Sequence, residues 1–117
     1  MINGIHAIVF SPEAEKVRAF FADVLELPST DVGGGWLIFA LPPAELAVHP
    51  DAGSRHELYL MCDDIHATLA ELAAKGVEVA REVSDQGWGL LAAIRLPDGS
   101  EFPIYQPRHP SPPRPSA

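Results

Sequence analysis

Histidines and carboxylates recur at corresponding places in the two halves of this 117-residue chain. His6 and His56 each begin an apolar segment, and Glu45 and His49 follow a Pro-Pro pair near the end of the first half. Two imidazoles and one carboxylate with open coordination positions suit Fe(II), Mn(II), Ni(II) or Zn(II). Such an ion can polarise a substrate carbonyl or chelate adjacent oxygens. A lone strand histidine is more often structural, so the repeated position is what indicates a metal site.

A second set of residues could bind a small molecule without a metal. Alternate side chains of a strand share a face, so Glu101 lies on the same face as Tyr105. A few polar groups on an apolar wall are typical of small-molecule sites. Trp88 stands between two glycines, where its ring could stack on a ligand. If the corresponding strand faces line one cavity, the ligand-binding residues are His6, Phe10, His49, His56, Leu58, Trp88, Glu101 and Tyr105.

Cys62 is the only cysteine, so neither an internal disulfide nor a cysteine-rich zinc site can form. It ends an apolar-rich stretch, which favours an inert buried thiol over a nucleophile activated by a nearby histidine. The residues assign no catalytic role to any side chain, and they leave open whether the protein is an enzyme.

Hydrophobic patterning predicts the elements that position these residues. Strands are predicted over 6–10, 36–41, 44–49, 56–62, 77–83, 88–96 and 100–106. Of two predicted helices, the first is capped by Ser11, and the second begins at Asp63 or Asp64 and ends at Gly76. The helix residues expected to pack on the strands are Val17, Phe20, Phe21, Ile65, Leu69 and Leu72. The second half therefore has the order β-α-β-β-β, and we interpret the first half, in which three of the four strands are assigned, as a repeat of the same order.

Composition predicts one soluble domain over residues 1–107. No apolar run reaches the roughly 20 residues needed to cross a bilayer, and no signal peptide is recognisable, so we expect a cytoplasmic protein without a membrane partner. The net charge is −8 and the eight Lys and Arg residues are scattered, which argues against nucleic acid as a partner. The Pro-rich tail, 108–117, is expected to be disordered.

The doubled element order, the run HELYLMCDDIHATLAELAAKGVEV and the ending LPDGSEFPIYQP resemble the vicinal oxygen chelate superfamily. That superfamily contains glyoxalases, bleomycin resistance proteins and extradiol dioxygenases. The resemblance covers residues 4–107 and implies an α+β fold. Two tandem βαβββ modules, about 4–50 and 56–107, would form a curved mixed sheet around a cavity. It also implies a homodimer.

Metal-binding members of this superfamily take ligands from the first and last strands of each half. The metal ligands implied for this sequence are His6, His56 and Glu45, with His49 as the rival of Glu45. The remaining position falls at Pro103, where the pattern expects Glu. Glu101 is two residues away, about 6 to 7 Å along a strand, which is too far for a direct replacement unless the strand is bulged.

Two functions follow from these observations. The first is a protein that binds a small molecule in the sheet cavity, without a stable metal, and Pro103 favours it. Its acidic surface would steer cationic ligands toward it. The alternative is a metal-dependent lyase, isomerase or extradiol-type dioxygenase with a divalent Fe, Mn, Ni or Zn ion, held by His6, His56 and Glu45 or His49.

Overall fold

The computed structural model of the chain describes residues 6–44, 47, 50, 52–53 and 56–110. Helix α1 (Ala14–Ala19) continues into a π-helical turn (Phe20–Val24), in which the Leu25 amide donates to the Phe20 carbonyl at 3.2 Å. Helix α2 spans Ile65–Ala74. Within the described ranges, no helix is both long and apolar enough to cross a bilayer.

The strands lie in two sheets. They are β1 (Ser29–Asp31), β2 (Leu37–Phe39), β3 (Leu60–Met61), β4 (Val79–Asp85), β5 (Gly89–Arg95) and β6 (Glu101–Pro107). β1 and β2 form an antiparallel pair, while the larger sheet has the order β3-β6-β5-β4. In the larger sheet β3 is parallel to β6 and the other pairs are antiparallel. The second half of the chain thus has the predicted βαβββ order, and the fold is α+β with a mixed sheet.

Local sequence signals set both ends of α2. Asp64 caps its start, where its side chain accepts a hydrogen bond from the Ala67 amide at 3.1 Å. At the other end Gly76 has φ +86°, and its amide donates to the Ala73 carbonyl at 3.0 Å. The Val77 amide donates to Leu72 at the same distance, which completes a Schellman motif. The predicted start and end of this helix are confirmed.

The core lies between the helices and one face of the larger sheet. All six predicted helix residues are buried there: Val17, Phe20, Phe21, Ile65, Leu69 and Leu72. The sheet contributes Ala92, Ile94 and Leu96 from β5 and the residue after it, and Phe102 and Ile104 from β6. Phe21 joins the two sheets, because its ring centroid lies 5.9 Å from that of Phe39 and 6.0 Å from that of Phe102.

Two prolines explain why β3 pairs over only two residues. The Tyr105 carbonyl accepts from the Cys62 amide at 3.0 Å, so the backbone groups of Tyr105 face β3. Because alternate residues of a strand face the same neighbour, Pro103 and Pro107 also face β3, and neither has an N–H to donate. Pro103 nevertheless lies opposite Ala93 on the β5 side. Pairing at Pro103 is therefore interrupted on the β3 side of β6 and continues on the β5 side.

Several predicted elements are corrected by the structure. Residues 6–10 form no strand, and the Phe10 side chain is 88% exposed. A strand needs a neighbour for its hydrogen bonds, which apolar alternation alone does not supply. β1 lies in a stretch for which no strand was predicted. Ser11 does not cap α1 directly; its hydroxyl accepts from the Glu13 amide at 3.1 Å and donates to the Asp98 carboxylate.

Parts of the predicted architecture fall outside the described residues. Most of the predicted strand 44–49 does so, as does the tail from residue 111. The division into modules 4–50 and 56–107 stays a prediction.

Candidate functional site

The sheet has a face that the helices do not cover. On β6, Phe102 and Ile104 point into the core, so Glu101, Pro103 and Tyr105 point to the opposite side. The register of the sheet places Leu91 opposite Tyr105 and Ala93 opposite Pro103 on this side. We call these residues, together with Tyr59 and Met61 at the β3 edge, the open face.

Aromatic rings gather at one end of the open face, around Tyr105. The Tyr105 ring centroid lies 5.3 Å from that of Trp88, 6.1 Å from that of Tyr59 and 6.1 Å from that of His109. The Trp88 and Tyr59 rings are both inclined at 62° to Tyr105, an edge-to-face arrangement. Trp88 remains 49% exposed. We call these four residues the aromatic cluster.

A missing side chain makes room for the central ring. A Cβ atom built on Gly89 would lie 2.5 Å from Tyr105 Cε1 and 2.7 Å from the Gln106 carbonyl oxygen. Neither distance is possible for a real methyl group, so the Tyr105 ring lies against the bare backbone of β5. Gly89 therefore sets the height of the aromatic cluster above the sheet.

One ion pair lies on the open face, and a second lies where β4 and β6 end. In the first, Arg81 Nε donates to Glu101 Oε1 at 2.6 Å, crossing β5 at Ala93. In the second, the Arg108 guanidinium contacts both carboxylate oxygens of Asp85, at 2.6 and 2.9 Å. The hydrogen bond from Arg108 is the main reason that the pKa of Asp85 lies below its usual value. Asp85 lies opposite Leu90, which packs against the core, so of the two pairs it is Arg81–Glu101 that lies on the open face.

The structure brings together some of the predicted ligand-binding residues. Trp88 and Tyr105 are in contact, and Glu101 shares their face at its far end. The other four described members of the set, His6, Phe10, His56 and Leu58, are exposed in irregular segments. His49 lies outside the described residues.

One sequence-based assignment of a strand face is wrong. The prediction that His56 and Leu58 line the same cavity as Tyr105 places the alternate residues of that strand, Leu60 and Cys62, on the cavity face as well. Leu60 and Cys62 instead pack against the core, on the helix side of the sheet. Since Met61 pairs with Tyr105, it is Tyr59 and Met61 that share the open face. Both faces of this segment are apolar, so alternation alone could not distinguish them.

The described residues do not assemble a metal site. Nowhere among them do three or more His, Cys, Asp or Glu side chains lie close enough together to hold an ion. The side chain of Pro103, on the open face, has no atom that could replace a carboxylate ligand. Glu45 and His49 are outside the described part of the chain, so the full predicted ligand set stays a prediction.

Cys62 has the character expected of an inert thiol. The side chain is half-buried, and desolvation raises the pKa of its thiol above the usual value. A raised pKa keeps the sulfur protonated at neutral pH, which makes it a poor nucleophile.

Three residues near Tyr105 were missed by sequence reasoning. Tyr59 was assigned to the wrong face, and His109 and Arg108 were treated as parts of a tail. An even number of positions separates Tyr105 from His109, and this was the available signal, because alternate side chains of an extended chain point to the same side. Two shallow hollows, of about 280 Å³ beside Val77 and about 380 Å³ along β1 and β2, are lined by other residues.

Comparisons with known proteins agree with this architecture. The sequence profile described as Glyoxalase/Bleomycin resistance protein/Dioxygenase superfamily matches residues 5–104. A search of curated protein sequences found no match. Among solved structures, TnmS3, an antibiotic binding protein from Streptomyces sp. CB03234, is 26% identical with a TM-score of 0.67, covering 91% of this chain and 97% of its own.

Two further structures share the fold. A glyoxalase/bleomycin resistance protein from Streptomyces sp. CB03234 is 28% identical with a TM-score of 0.56, over 80% of this chain and 91% of its own. A lactoylglutathione lyase from Agrobacterium tumefaciens is 15% identical with a TM-score of 0.63, over 91% of this chain and 95% of its own, which is a likeness of fold alone. With the family profile covering most of its length, this chain is a member of the glyoxalase/bleomycin resistance protein/dioxygenase superfamily.

Proposed function

We propose that this protein binds a small aromatic molecule on the open face and holds it without a stable metal and without transforming it. The observation that carries this proposal is the aromatic cluster around Tyr105, with Trp88 half-exposed beside it. Exposed aromatic rings grouped on one surface are typical of ligand sites, because they bury a large apolar area with few rotatable bonds.

Relatives support the same class of function. TnmS3, described as an antibiotic binding protein, is 26% identical over nearly the whole of both chains. We infer that the ligand of the present protein is also a compound of antibiotic-like size. The net charge of −8 favours a ligand with a positive charge, since a charged surface raises the local concentration of oppositely charged solutes.

The proposed site extends beyond the aromatic cluster. Glu101 closes its far end, where it pairs with Arg81. We retain His6, Phe10, His49, His56 and Leu58 as predicted contributors to the same cavity. His6, Phe10 and His49 would approach the open face from the first half of the chain, and His56 and Leu58 from a second subunit.

We also propose that the protein acts as a homodimer. The large side chains Ile8, Val9 and Phe10 are exposed in sequence, and Trp36 is exposed on the β1–β2 hairpin. Contiguous exposed apolar surface on a soluble chain commonly marks a protein–protein interface. No strand of the described residues pairs with the outer edge of β3, which a partner could therefore cover.

Binding can be tested with Trp88 as the reporter. The chain has two tryptophans, so in a Trp36→Phe background all indole emission comes from Trp88. This variant is titrated with cationic 9-aminoacridine, neutral acridone and anionic anthraquinone-2-sulfonate. We expect saturable quenching, strongest for the cation, and its loss in the Tyr105→Ala variant of the same background. Saturation that is unchanged by Tyr105→Ala, or absent for all three probes, would show that the open face is not the site.

The metal-dependent alternative has its own test. Mn(II), Zn(II) and Ni(II) are titrated calorimetrically into protein purified without a nickel column and into its His56→Ala variant. Equal, negligible heats in both agree with the proposed metal-free site. A single site that appears only in the wild type would overturn that part of the proposal and restore the lyase, isomerase or dioxygenase hypothesis.

A further inference from the structure

The chain leaves β6 along the edge of the aromatic cluster. Residues 108–110, which we call the strap, follow Pro107 directly. The Arg108 amide donates to the Trp88 carbonyl at 3.2 Å, and the Arg108 guanidinium forms a bidentate contact with the Asp85 carboxylate. The strap is therefore attached by both backbone and side chain to the turn between β4 and β5.

The Asp85 carboxylate forms hydrogen bonds with both the turn and the strap. Asp85 Oδ1 accepts from the Gly87 amide at 2.8 Å, which shapes the turn that carries Trp88. The same carboxylate binds Arg108 through both its oxygens. Arginine and carboxylate meet in a fixed planar geometry when the contact is bidentate, so the relative orientation of turn and strap is defined.

The consequence is the position of His109. Its ring lies 6.1 Å from that of Tyr105, at an angle of 37°. Its Nδ1 is 2.9 Å from the Pro110 carbonyl oxygen, and because a carbonyl can only accept, Nδ1 is the donor of that hydrogen bond. Trp88 and His109 thus stand beside the same tyrosine, one carried by the turn and the other by the strap.

We propose that His109 is a ligand-contacting residue of the open face and that the Asp85–Arg108 pair is the element that positions it. This inference rests on the proposed binding function. It names the ligand more closely: an aromatic group that covers Tyr105 and touches Trp88 on one side and His109 on the other. The strap completes the wall of the site, and without the pair His109 leaves it.

If the ion pair served only to stabilise the fold, its removal would lower the melting temperature. Asp85 and Arg108 are both exposed, and exposed pairs contribute little to global stability. We therefore expect loss of the pair to leave the melting temperature nearly unchanged. Salt screens exposed charges, so binding of a neutral ligand should weaken with ionic strength only while the pair is present.

The experiment uses acridone, which has no net charge, and the Trp36→Phe background. The variants are Arg108→Gln, His109→Ala, and Asp85→Asn, which keeps an oxygen for the Gly87 amide. Each is expected to weaken acridone binding about 3- to 10-fold, as for the loss of one aromatic contact. Arg108→Gln with Asp85→Asn should cost no more than either alone, because both act through one pair. Arg18→Gln, the same charge change beside position 36, is the control and should bind normally.

A second readout needs no ligand. The imidazole Cε1 proton of His109, assigned with the His109→Ala variant, should be shifted by the Tyr105 ring in the NMR spectrum. Arg108→Gln should move this resonance as far as Tyr105→Ala does. An unmoved resonance in Arg108→Gln would show that the pair does not position His109 and would overturn the inference.

The two proposals fail separately. If Tyr105→Ala abolishes acridone binding while Arg108→Gln and His109→Ala bind like the background, the binding function stands and the role of the strap is wrong. If Tyr105→Ala has no effect on acridone binding, the open face is not the site and both proposals fall. If the background protein binds another probe but not acridone, the inference alone falls. Failure of all three aromatic probes removes the binding function as well.

Discussion

Gly89 decides whether the central ring of the open face can lie where it does. Tyr105 occupies the space that any other side chain at position 89 would need, and the Gln106 carbonyl approaches from the same direction. The need for glycine here comes from close contact between two strands, because Gly89 does not have a positive φ. Gly89 is thus needed both for the position of Tyr105 in the proposed binding site and for the close packing of β5 and β6.

A methyl group at position 89 should therefore disturb both stability and binding. We expect Gly89→Ala to destabilise the protein by about 1 to 3 kcal/mol, the usual cost of inserting one carbon into a packed region. Gly53→Ala is the matched control, since its Cβ would meet nothing within 4 Å and should have little effect. Urea unfolding and near-ultraviolet circular dichroism of the tyrosine bands measure the two effects. Equal stability of the two variants would contradict the close contact described.

The Asp98 carboxylate is held in its ionised form by two serines. Hydrogen bonds from Ser100 and then from Ser11 lower the pKa of Asp98 from 3.8 to about 2. The Ser11 bond joins the segment before α1 to the turn between β5 and β6. A lowered pKa in the folded state means that ionised Asp98 stabilises the fold above pH 3.8, and that this stabilisation is lost as the pH falls toward 2.

The difference in unfolding free energy between wild type and Asp98→Asn should therefore depend on pH. We expect it to be constant from pH 7 to about 5 and to shrink as the pH falls through about 4 toward 2, the window between the unfolded and folded pKa values. Urea denaturation at a series of pH values measures it. The difference in unfolding free energy between wild type and Ser11→Ala should shrink less with falling pH than the difference for Asp98→Asn, because the hydrogen bond from Ser100 remains. A difference that stays constant down to pH 2 would contradict this account.

At the scale of elements, the second half of the chain was predictable because its signals are local. Asp64, Gly76 and the apolar stripe of α2 lie within a few turns of one another, and each is confirmed. The segment 6–10 was not, because strand formation depends on a neighbour that the sequence does not name. The candidate site divides in the same way: Trp88 and Tyr105 were recognisable, whereas Tyr59 needed the register of β3 on β6.

Pro103 offers a test of what limits β3. In a parallel pair with this register, an N–H at position 103 would point to the Leu58 carbonyl. We expect Pro103→Val to donate there and to lengthen β3 by two residues. One added hydrogen bond contributes about 0.5 to 1.5 kcal/mol. Replacing the proline makes the unfolded chain more flexible, which lowers the stability by about 0.4 to 1 kcal/mol and offsets the gain from the hydrogen bond. Stability should therefore change little.

Hydrogen exchange shows whether β3 becomes longer, which the small change in stability does not. In the Pro103→Val variant, the new amide at position 103 should be protected to the same degree as that of Tyr105. Pro97→Val, in the turn before β6, is the control, and its new amide should exchange rapidly because it lies outside the ladder. Rapid exchange of the amide at position 103 would show that something other than the proline keeps the segment before β3 unpaired.

At the scale of the whole molecule, apolar surface is distributed unevenly. The core side of the larger sheet packs against the helices, whereas Ile8, Val9 and Phe10 are exposed before α1 and no described strand pairs with the outer edge of β3. A segment rich in strand-forming residues and an open strand edge are complementary, because each lacks the hydrogen bonds that the other could provide. Pairing between two copies of the chain, as we propose, would provide both with hydrogen-bond partners.

We therefore expect the protein to elute and scatter light at twice the monomer mass of 12.6 kDa at micromolar concentration. Phe10→Asp places a charge on the 88%-exposed ring position and should shift the population toward monomer by at least tenfold in dissociation constant, about 1.4 kcal/mol. Ala70→Asp, which adds the same charge on the exposed side of α2, should leave the dimer intact. If wild type scatters only as a 12.6 kDa species at high micromolar concentration, the dimer is wrong. If Ala70→Asp dissociates it as Phe10→Asp does, the interface lies elsewhere.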